Sequence, residues 1–291
     1  MKEYPKISLL TEISGGYDVV IQASNIANNN IYALQLRSDQ QDTYVIKGSK
    51  TSGKMNKMPR LVLSGTDNDT AGGITQTLKY TGNNSWFIGT NQSANGYDIE
   101  IAQVCFPVSG RVAYHSHKEL PRLSYLNRAG QEFGLAYNDK NIKHVEAAVS
   151  PDYQELLIAS VDKSGNGYFS IYDMNEVSSV LDEVNVPGTV EKDVMITELS
   201  CKYAPNSPMD TREKRNVIEI PWNYPMNSWP SNPDSWKKAN FSEASIDISG
   251  YISEFKSIQV TDYNMYLTVS YHNKLTNLKA DKHRIYKIEW N

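Results

Sequence analysis

One stretch of the sequence recurs, and this recurrence limits the folds available to the chain. Residues 146–160, EAAVSPDYQELLIAS, align without a gap on residues 256–270, KSIQVTDYNMYLTVS. Each copy is typical of a strand, a tight turn and a second strand, because Asp and Pro favour turns and apolar runs favour buried strands. Residues 76–90 fit the same frame, and residues 16–37 form a looser copy. Copies of one small unit predict a stacked, repeated architecture.

Each repeat continues into a third strand. Residues 168–173, YFSIYD, alternate apolar and polar side chains as a half-buried strand does, and IYKIEW corresponds to them near the C-terminus. A helical spacing occurs only in residues 172–184, which we predict to be one short helix on a connection. The 19 Tyr and 17 Gly suit strands and turns. The pattern therefore predicts an all-β chain.

Repeated meanders with a long period indicate a β-propeller, in which each blade is a small twisted sheet. First strands begin near residues 17, 75, 145 and 255, and the wide last interval leaves space for one more blade. That blade would use residues 193–205 and 215–222 and would be reduced. We predict one domain of residues 1–291 with five blades. Their approximate bounds are 5–58, 59–120, 121–185, 186–240 and 241–291.

Charge and composition exclude several classes of function. The net charge of −4 and the scarcity of Lys and Arg clusters argue against nucleic-acid binding. No apolar segment is long enough to be a transmembrane helix. The opening MKEYPKISLL is unlike a signal peptide, although an extracellular protein could use another export route. Two cysteines make no disulfide framework, and we expect Cys105 to be packed inside.

Two segments resemble metal sites but have simpler interpretations. Residues 162–173, DKSGNGYFSIYD, imitate a calcium loop, yet that loop needs flanking helices and ends in a bidentate Glu. Here strands flank the segment, so we predict a hairpin turn. The HSH sequence at 115–117 could offer two imidazoles, but no third ligand is nearby and we expect a solvated loop. No metal and no cofactor are predicted.

The repeat alignment supplies candidates for the central channel of a propeller. Its first-strand positions are Gln76, Glu146 and Lys256, with Asp18 as the candidate from the first copy. Glycoside hydrolysis requires two carboxyl groups, and the three aligned positions supply one. We therefore favour a structural ion pair between Glu146 and Lys256 over catalysis and predict no catalytic residue.

A segment rich in Pro, Asn and Ser carries three tryptophans, Trp222, Trp229 and Trp236. Exposed aromatic rings on such segments commonly stack on sugars. The alternative is that the rings hold a long loop against the sheet edge. The tryptophans are our candidates for a receptor site or a carbohydrate-binding site.

Several segments resemble the helveticin J family, whose members are large, heat-labile bacteriocins of Gram-positive bacteria. They are PRLSYLNRAG (121–130), HVEAAVSPDY (144–153), LLIASVDKSGNGYFSIYD (156–173), YLTVSYHNK (266–274), IYKIEWN (285–291), IYALQLR (31–37) and GGITQT (72–77). The resemblance covers nearly the whole chain in the same order. It implies an antibacterial protein that acts outside the producing cell, and it carries over no catalytic residues.

The chain departs from the family pattern in two places. The stretch before KYAP (202–205) is compressed, and Ile74 stands where a family member carries His. If that His has a role, this chain would be a weak or inactive member.

The resemblance predicts a secreted or surface-associated bacteriocin that recognises a component of the bacterial cell envelope, such as a glycan. Two other functions remain open. One is a non-lethal, lectin-like propeller, and the other is a propeller hydrolase of cell-wall glycan.

Overall fold

The chain folds mainly into β-strands, which form several sheets. The computed structural model describes residues 5–17, 19–37, 42–66, 69–107, 109–133, 142–204, 209–210, 216–219, 237–240, 246–275 and 280–289. Within these residues it contains 23 strands and one α-helix. The prediction of an all-β chain is confirmed.

The strands and the helix have the following bounds. In the first half they are β1 Lys6–Gly15, β2 Ile21–Ala27, β3 Asn30–Leu36, β4 Thr43–Ser49, β5 Lys54–Leu63, β6 Gly65–Thr66, β7 Asp69–Thr70, β8 Leu78–Tyr80, β9 Ser85–Gln92, β10 Asp98–Cys105, β11 Val112–Tyr114 and β12 Arg122–Ser124. In the second half they are β13 Ile142–Val149, β14 Glu155–Asp162, β15 Asn166–Asp173, α1 Met174–Val184, β16 Asp193–Met195, β17 Cys201–Tyr203, β18 Met209–Asp210, β19 Asn216–Glu219, β20 Lys237–Asn240, β21 Tyr251–Val260, β22 Met265–Asn273 and β23 Ala280–Glu289. Short 3₁₀ turns lie at His117–Glu119, Leu126–Arg128, Gln131–Phe133 and Ile196–Glu198.

Most strands belong to meanders of consecutive antiparallel strands. One sheet runs β2-β3-β4-β5 and continues through β1 into β23-β22-β21. The link between β5 and β1 is a short parallel pairing of Ser14 and Gly15 with Lys54 and Met55. A second sheet runs β8-β9-β10-β12-β16, and a third runs β13-β14-β15-β17, with β18 also paired to β15. A two-stranded sheet of β19 and β20 follows.

The repeat found in the sequence is also a repeat of strand register. Ala147 pairs with Ile158 in one copy, and Ser257 pairs with Thr268 in the other, a constant shift of 110 residues. The register changes at Lys256, where a β-bulge adds one residue to β21. A bulge leaves its extra residue unpaired and bends the strand. The ungapped alignment therefore identified the turn-proximal halves of both hairpins correctly.

The first strand completes the last sheet of the chain. β1 pairs antiparallel with β23, from Lys6 opposite Glu289 to Ile13 opposite His283. This assignment differs from the predicted first blade of residues 5–58, which had placed the same strand with β2–β5. Long-range pairing of this kind leaves no local signal in the sequence, whereas β2–β5 are linked by short turns.

Residues 193–205 do not build the reduced fourth unit that we expected. β16 pairs in parallel with β12, and β17 pairs antiparallel with β15. The 3₁₀ turn between them buries Ile196, so this segment passes from the edge of the second sheet to the edge of the third. Within the range predicted for the fourth blade, residues 186–240, β19 and β20 pair with each other and form a separate two-stranded sheet.

The predicted helix is confirmed as α1. Asp173 caps its N-terminus by accepting hydrogen bonds from the backbone N–H groups of Asn175 and Glu176, and Val177 and Leu181 are buried.

The prediction for Cys105 is wrong, because its side chain is exposed at the end of β10. The neighbouring Val104 is buried, and successive side chains of a strand point to opposite faces. Among the described residues, no helix is both long and apolar enough to cross a membrane.

Candidate functional site

The carboxylate of Glu146 lies where the second and third sheets meet. It accepts hydrogen bonds from the backbone N–H of Gln76, at 3.0 Å from each oxygen, and from the hydroxyl of Thr77 at 2.7 Å. The same hydroxyl accepts a hydrogen bond from the backbone N–H of Ala147 at 2.8 Å. The segments GGITQT and HVEAAVSPDY, far apart in sequence, therefore meet at this carboxylate.

A second carboxylate, Asp98, is enclosed beside the same segment. Its side chain is 1% exposed, and neither oxygen has a hydrogen-bond partner among the described residues. A Cβ atom at Gly73 would collide with this carboxylate, so the glycine provides the space that it occupies. An unsatisfied buried carboxylate is costly when charged and tends to take up a proton.

Burial controls the protonation of this region. It raises the pKa of Glu146 to about 7, against the opposing effect of the hydrogen bonds from Thr77 and Gln76. It raises the pKa of Asp98 well above its usual range, and the nearby charge of Glu146 adds to this effect. It lowers the pKa of Lys79 to about 8, although Glu146 favours the charged ammonium. Two acids that resist ionisation thus lie near one amine that resists protonation.

We expect Glu146→Gln to stabilise the protein above neutral pH. The folded-state pKa of Glu146 is raised, so the native carboxyl contributes stability below pH 4.5 that is lost as the pH rises through about 7. Glutamine does not ionise, so the variant does not lose stability as the pH rises through this range. Its free energy of unfolding should exceed that of the parent by about 1–3 kcal/mol at pH 8 and match it near pH 4. Urea titrations at both pH values measure the difference, and equal stabilities at pH 8 would contradict the prediction.

Lys256 does not pair with Glu146 as expected. Its buried ammonium lies 2.7 Å from the carboxylate of Glu254, which also contacts His272 at 2.8 Å. A β-bulge at Lys256 changes the register of β21 there, so the two copies of the repeat differ at this position. The cation near Glu146 is instead Lys79, whose ammonium donates to the carbonyl of Ile258 at 2.5 Å.

Four candidates from the sequence, Asp18, Trp222, Trp229 and Trp236, lie outside the described residues. Of the channel candidates, the structure brings Gln76 and Glu146 together. Their lining of a common channel with Lys256 stays a prediction.

The calcium-like segment forms the predicted hairpin turn between β14 and β15. Asp162 accepts hydrogen bonds from the backbone N–H groups of Ser164 and Asn166, at 2.8 and 2.9 Å, and from the side chain of Asn166 at 2.9 Å. The carboxylate is thus used by the turn itself. No group of three or more His, Cys, Asp or Glu within the described ranges is arranged to hold a metal ion.

The expectation of a solvated HSH loop is wrong for its second histidine. His117 is buried on a 3₁₀ turn, and its Nδ1 lies 3.0 Å from Glu100. Glu100 also accepts a hydrogen bond from Arg122 Nε at 2.8 Å, and Arg122 lies 3.6 Å from Asp193. This buried network joins β10 to β12 and β16. His115 is an exposed residue that contacts Ser64 at 2.7 Å.

The structure shows a further concave site that the sequence did not suggest. Between the first and second sheets is a cavity of about 330 Å³, which we call the aromatic cleft. Its aromatic residues are Tyr32, Tyr80, Trp86 and Phe106. The rings of Trp86 and Phe106 are stacked at 4.9 Å, and Tyr32 lies 4.8 Å from Trp86. The four rings come from four separate strands or connections, so no local pattern could have predicted their meeting.

Comparison with known proteins gives one family. The family model for "Bacteriocin helveticin-J" matches residues 2–209 and 191–291. "Bacteriocin helveticin-J" of Lactobacillus helveticus is 31% identical over 344 aligned positions, covering 100% of this chain and 99% of that protein.

Among solved structures, the chain is similar to "Structure of a Post-proline cleaving enzyme from Rickettsia typhi". The TM-score is 0.37 and the identity is 10%. The match covers 91% of this chain and spans 35% of that protein's length.

The family model extends over nearly all of the sequence, and the relative from Lactobacillus helveticus matches it from end to end. The chain belongs to the helveticin J family of bacteriocins.

Proposed function

We propose that this protein is a secreted antibacterial protein that recognises a component of the cell envelope of related bacteria. The observation that carries the proposal is the full-length similarity to a bacteriocin. A protein that acts on other cells must leave the producer, which is the reason for proposing secretion. The tryptophans at 222, 229 and 236 remain candidates for the receptor site, on the argument that exposed rings stack on sugars.

A killing assay tests this proposal. Purified protein is added to growing cultures of species related to Lactobacillus helveticus, and viable cells are counted over time. Viability should fall with protein concentration, and heat-denatured protein should have no effect. Full viability in all related strains, with the protein shown to be folded, would contradict an antibacterial function. Binding to those cells without killing would instead favour the lectin-like function.

The same proposal includes an arrangement of the sheets as five blades around one axis. It is supported by contacts between the first strands of different meanders, including β2 and β21 at the two ends of the first sheet. The backbone N–H of Ser24 in β2 donates to the hydroxyl of Ser257 in β21 at 3.0 Å. Gln259 in β21 exchanges side-chain hydrogen bonds with the backbone of Ile26. At another junction, Gln76 and Thr77 contact Glu146 in β13. First strands that contact in this way are expected around a propeller axis.

Hydrolysis of a cell-wall glycan is the second candidate function, favoured by one observation. The pKa of Glu146 is raised to about 7, as a general acid requires. Glycoside hydrolysis also needs a second carboxyl group that reaches the substrate. The neighbouring Asp98 is 1% exposed and enclosed by backbone, so it cannot contact a glycan in this conformation. The enclosure of Asp98 therefore argues against hydrolysis by this pair of carboxyl groups.

We expect Glu146→Gln to leave killing or cell binding within a few-fold of the parent. Glutamine retains an oxygen that can accept the hydrogen bonds from Gln76 and Thr77, so the junction should persist. The measurement is the killing titration, accompanied by a thermal melt. A loss of about a hundredfold in a variant that remains folded is the size expected for a missing acid or base, and it would favour the hydrolase.

A further inference from the structure

We infer that the aromatic cleft binds an anionic saccharide. This inference deepens the proposed function, because it names the chemical class of the envelope molecule. The cavity of about 330 Å³ falls in the range of small-molecule sites and suits one or two sugar rings. It lies between two sheets, each of which contributes aromatic side chains.

The rings provide a surface for stacking. Tyr32, Tyr80 and Phe106 are half-buried, so each keeps part of its ring accessible, whereas Trp86 is buried and supports the other three. Tyr80 lies 5.3 Å from Trp86, and Tyr32 lies 5.9 Å from Phe106. The packing fixes the rings before a ligand arrives, which reduces the entropy lost on binding.

Amide side chains surround the rings. Asn28, Asn30 and Asn84 lie at the cleft, and Asn28 and Asn84 are exposed. Within the described part of the chain, none of the three side-chain amides makes a hydrogen bond to another residue. Each offers two donors and one acceptor oxygen, which matches the hydroxyl groups around a sugar ring. Rings bordered by amides indicate a saccharide rather than an aliphatic ligand.

Two cations give the cleft its charge. The Lys47 ammonium lies 5.7 Å from the centroid of the Tyr32 ring, and the Arg60 guanidinium donates to the carbonyl of Gly110 at 3.3 Å. Neither side chain forms an ion pair with a described carboxylate. No described residue that lines the cleft is acidic. In a chain of net charge −4, this local excess of positive charge favours a ligand that carries phosphate or carboxylate.

Direct binding to defined saccharides tests the inference. The probes are glucose 6-phosphate, glucuronate and glucose, each measured by saturation-transfer NMR titration, with inorganic phosphate as a competitor. We expect at least one of the two anionic sugars to bind about tenfold more tightly than glucose, as a charge-assisted contact would produce. The comparison of the two anionic sugars distinguishes a phosphate-bearing from a carboxylate-bearing glycan.

The matched variants change charge inside and outside the cleft. The double variant Lys47→Gln with Arg60→Gln should remove the preference for the anionic sugar. The control Lys54→Gln with Lys57→Gln loses the same charge from exposed positions on β5. This control should keep the preference for the anionic sugar. Thermal melts verify that both variants are folded.

Several results would overturn the inference. In the titrations they are the absence of binding by both anionic sugars, or binding of glucose with the same affinity as the anionic sugars. A third is displacement of the anionic sugar by inorganic phosphate that binds with the same affinity as that sugar. A fourth is a Lys47→Gln, Arg60→Gln variant that still prefers the anionic sugar to glucose. The assay requires no sensitive cells, so its failure leaves the killing result untouched. A protein that binds the sugar but kills no strain would instead refute the antibacterial proposal alone.

Discussion

Replacing Arg122 with Met is expected to lower the free energy of unfolding by about 3–5 kcal/mol, the usual cost of leaving a buried charge without its partner. Arg122 and Glu100 have side chains that are 7% and 11% exposed, and Arg122 Nε lies 2.8 Å from the carboxylate. Methionine fills much of the same volume but donates no hydrogen bond. Among the described partners of Glu100, His117 would remain, and the contact between Arg122 and Asp193 would also be lost.

Arg284→Met is the matched control. Arg284 Nε also lies 2.8 Å from a carboxylate, that of Glu12, but these side chains are 25% and 45% exposed. Exposed ion pairs contribute about 0–1 kcal/mol, so this variant should lose far less stability. Denaturant titrations of both variants measure the difference. Equal losses would show that burial does not determine the contribution of the Arg122 network.

Deleting residues 1–15 is expected to abolish the cooperative thermal transition of the protein. β1 pairs with β23 from Glu289 to His283, and Ile13 is buried in the packing beside Ile285. Its removal would expose both the apolar surface under β1 and a row of unpaired backbone groups on β23. Because β1 comes from the opposite end of the chain, the deletion also removes one of the contacts between the two ends of the chain.

A permuted chain separates the strand's role from its position in the sequence. Residues 1–15 are moved behind residue 291 through a short Gly-rich linker, which is feasible because Lys6 lies opposite Glu289. We expect the permuted protein to melt within a few degrees of the parent. A deletion variant with an unchanged melting curve, or a permuted chain that fails to fold, would contradict the assigned role of β1.

Much of the fold could be predicted because its signals are local. The turn at 150–154 follows from Pro151 and Asp152, and Asp152 does accept hydrogen bonds from Ser150 and Gln154. The apolar run from 155 to 162 became β14. The pairing of β1 with β23 and the divided use of residues 193–203 depend on long-range contacts, which leave no periodic signal in one sequence.

The candidate sites were harder to predict for a related reason. The repeat alignment drew attention to Glu146, because equivalent strands place equivalent side chains. It could not show that Asp98 is enclosed beside Gly73, since that contact involves two segments with no common motif. The alignment also failed to anticipate the bulge at Lys256 and the ion pair of this side chain with Glu254.

The most direct test of the central claim, recognition of the bacterial envelope, is a sedimentation assay with intact cells. Fluorescently labelled protein is mixed with cells of a species related to Lactobacillus helveticus, the cells are pelleted, and the bound fraction is measured over a concentration series. A Gram-negative species serves as the control. We predict saturable binding with a dissociation constant of about 1 μM or tighter, corresponding to roughly −8 kcal/mol, and competition by unlabelled protein. Binding that rises linearly without saturation, or that is equal on the control cells, would contradict the claim.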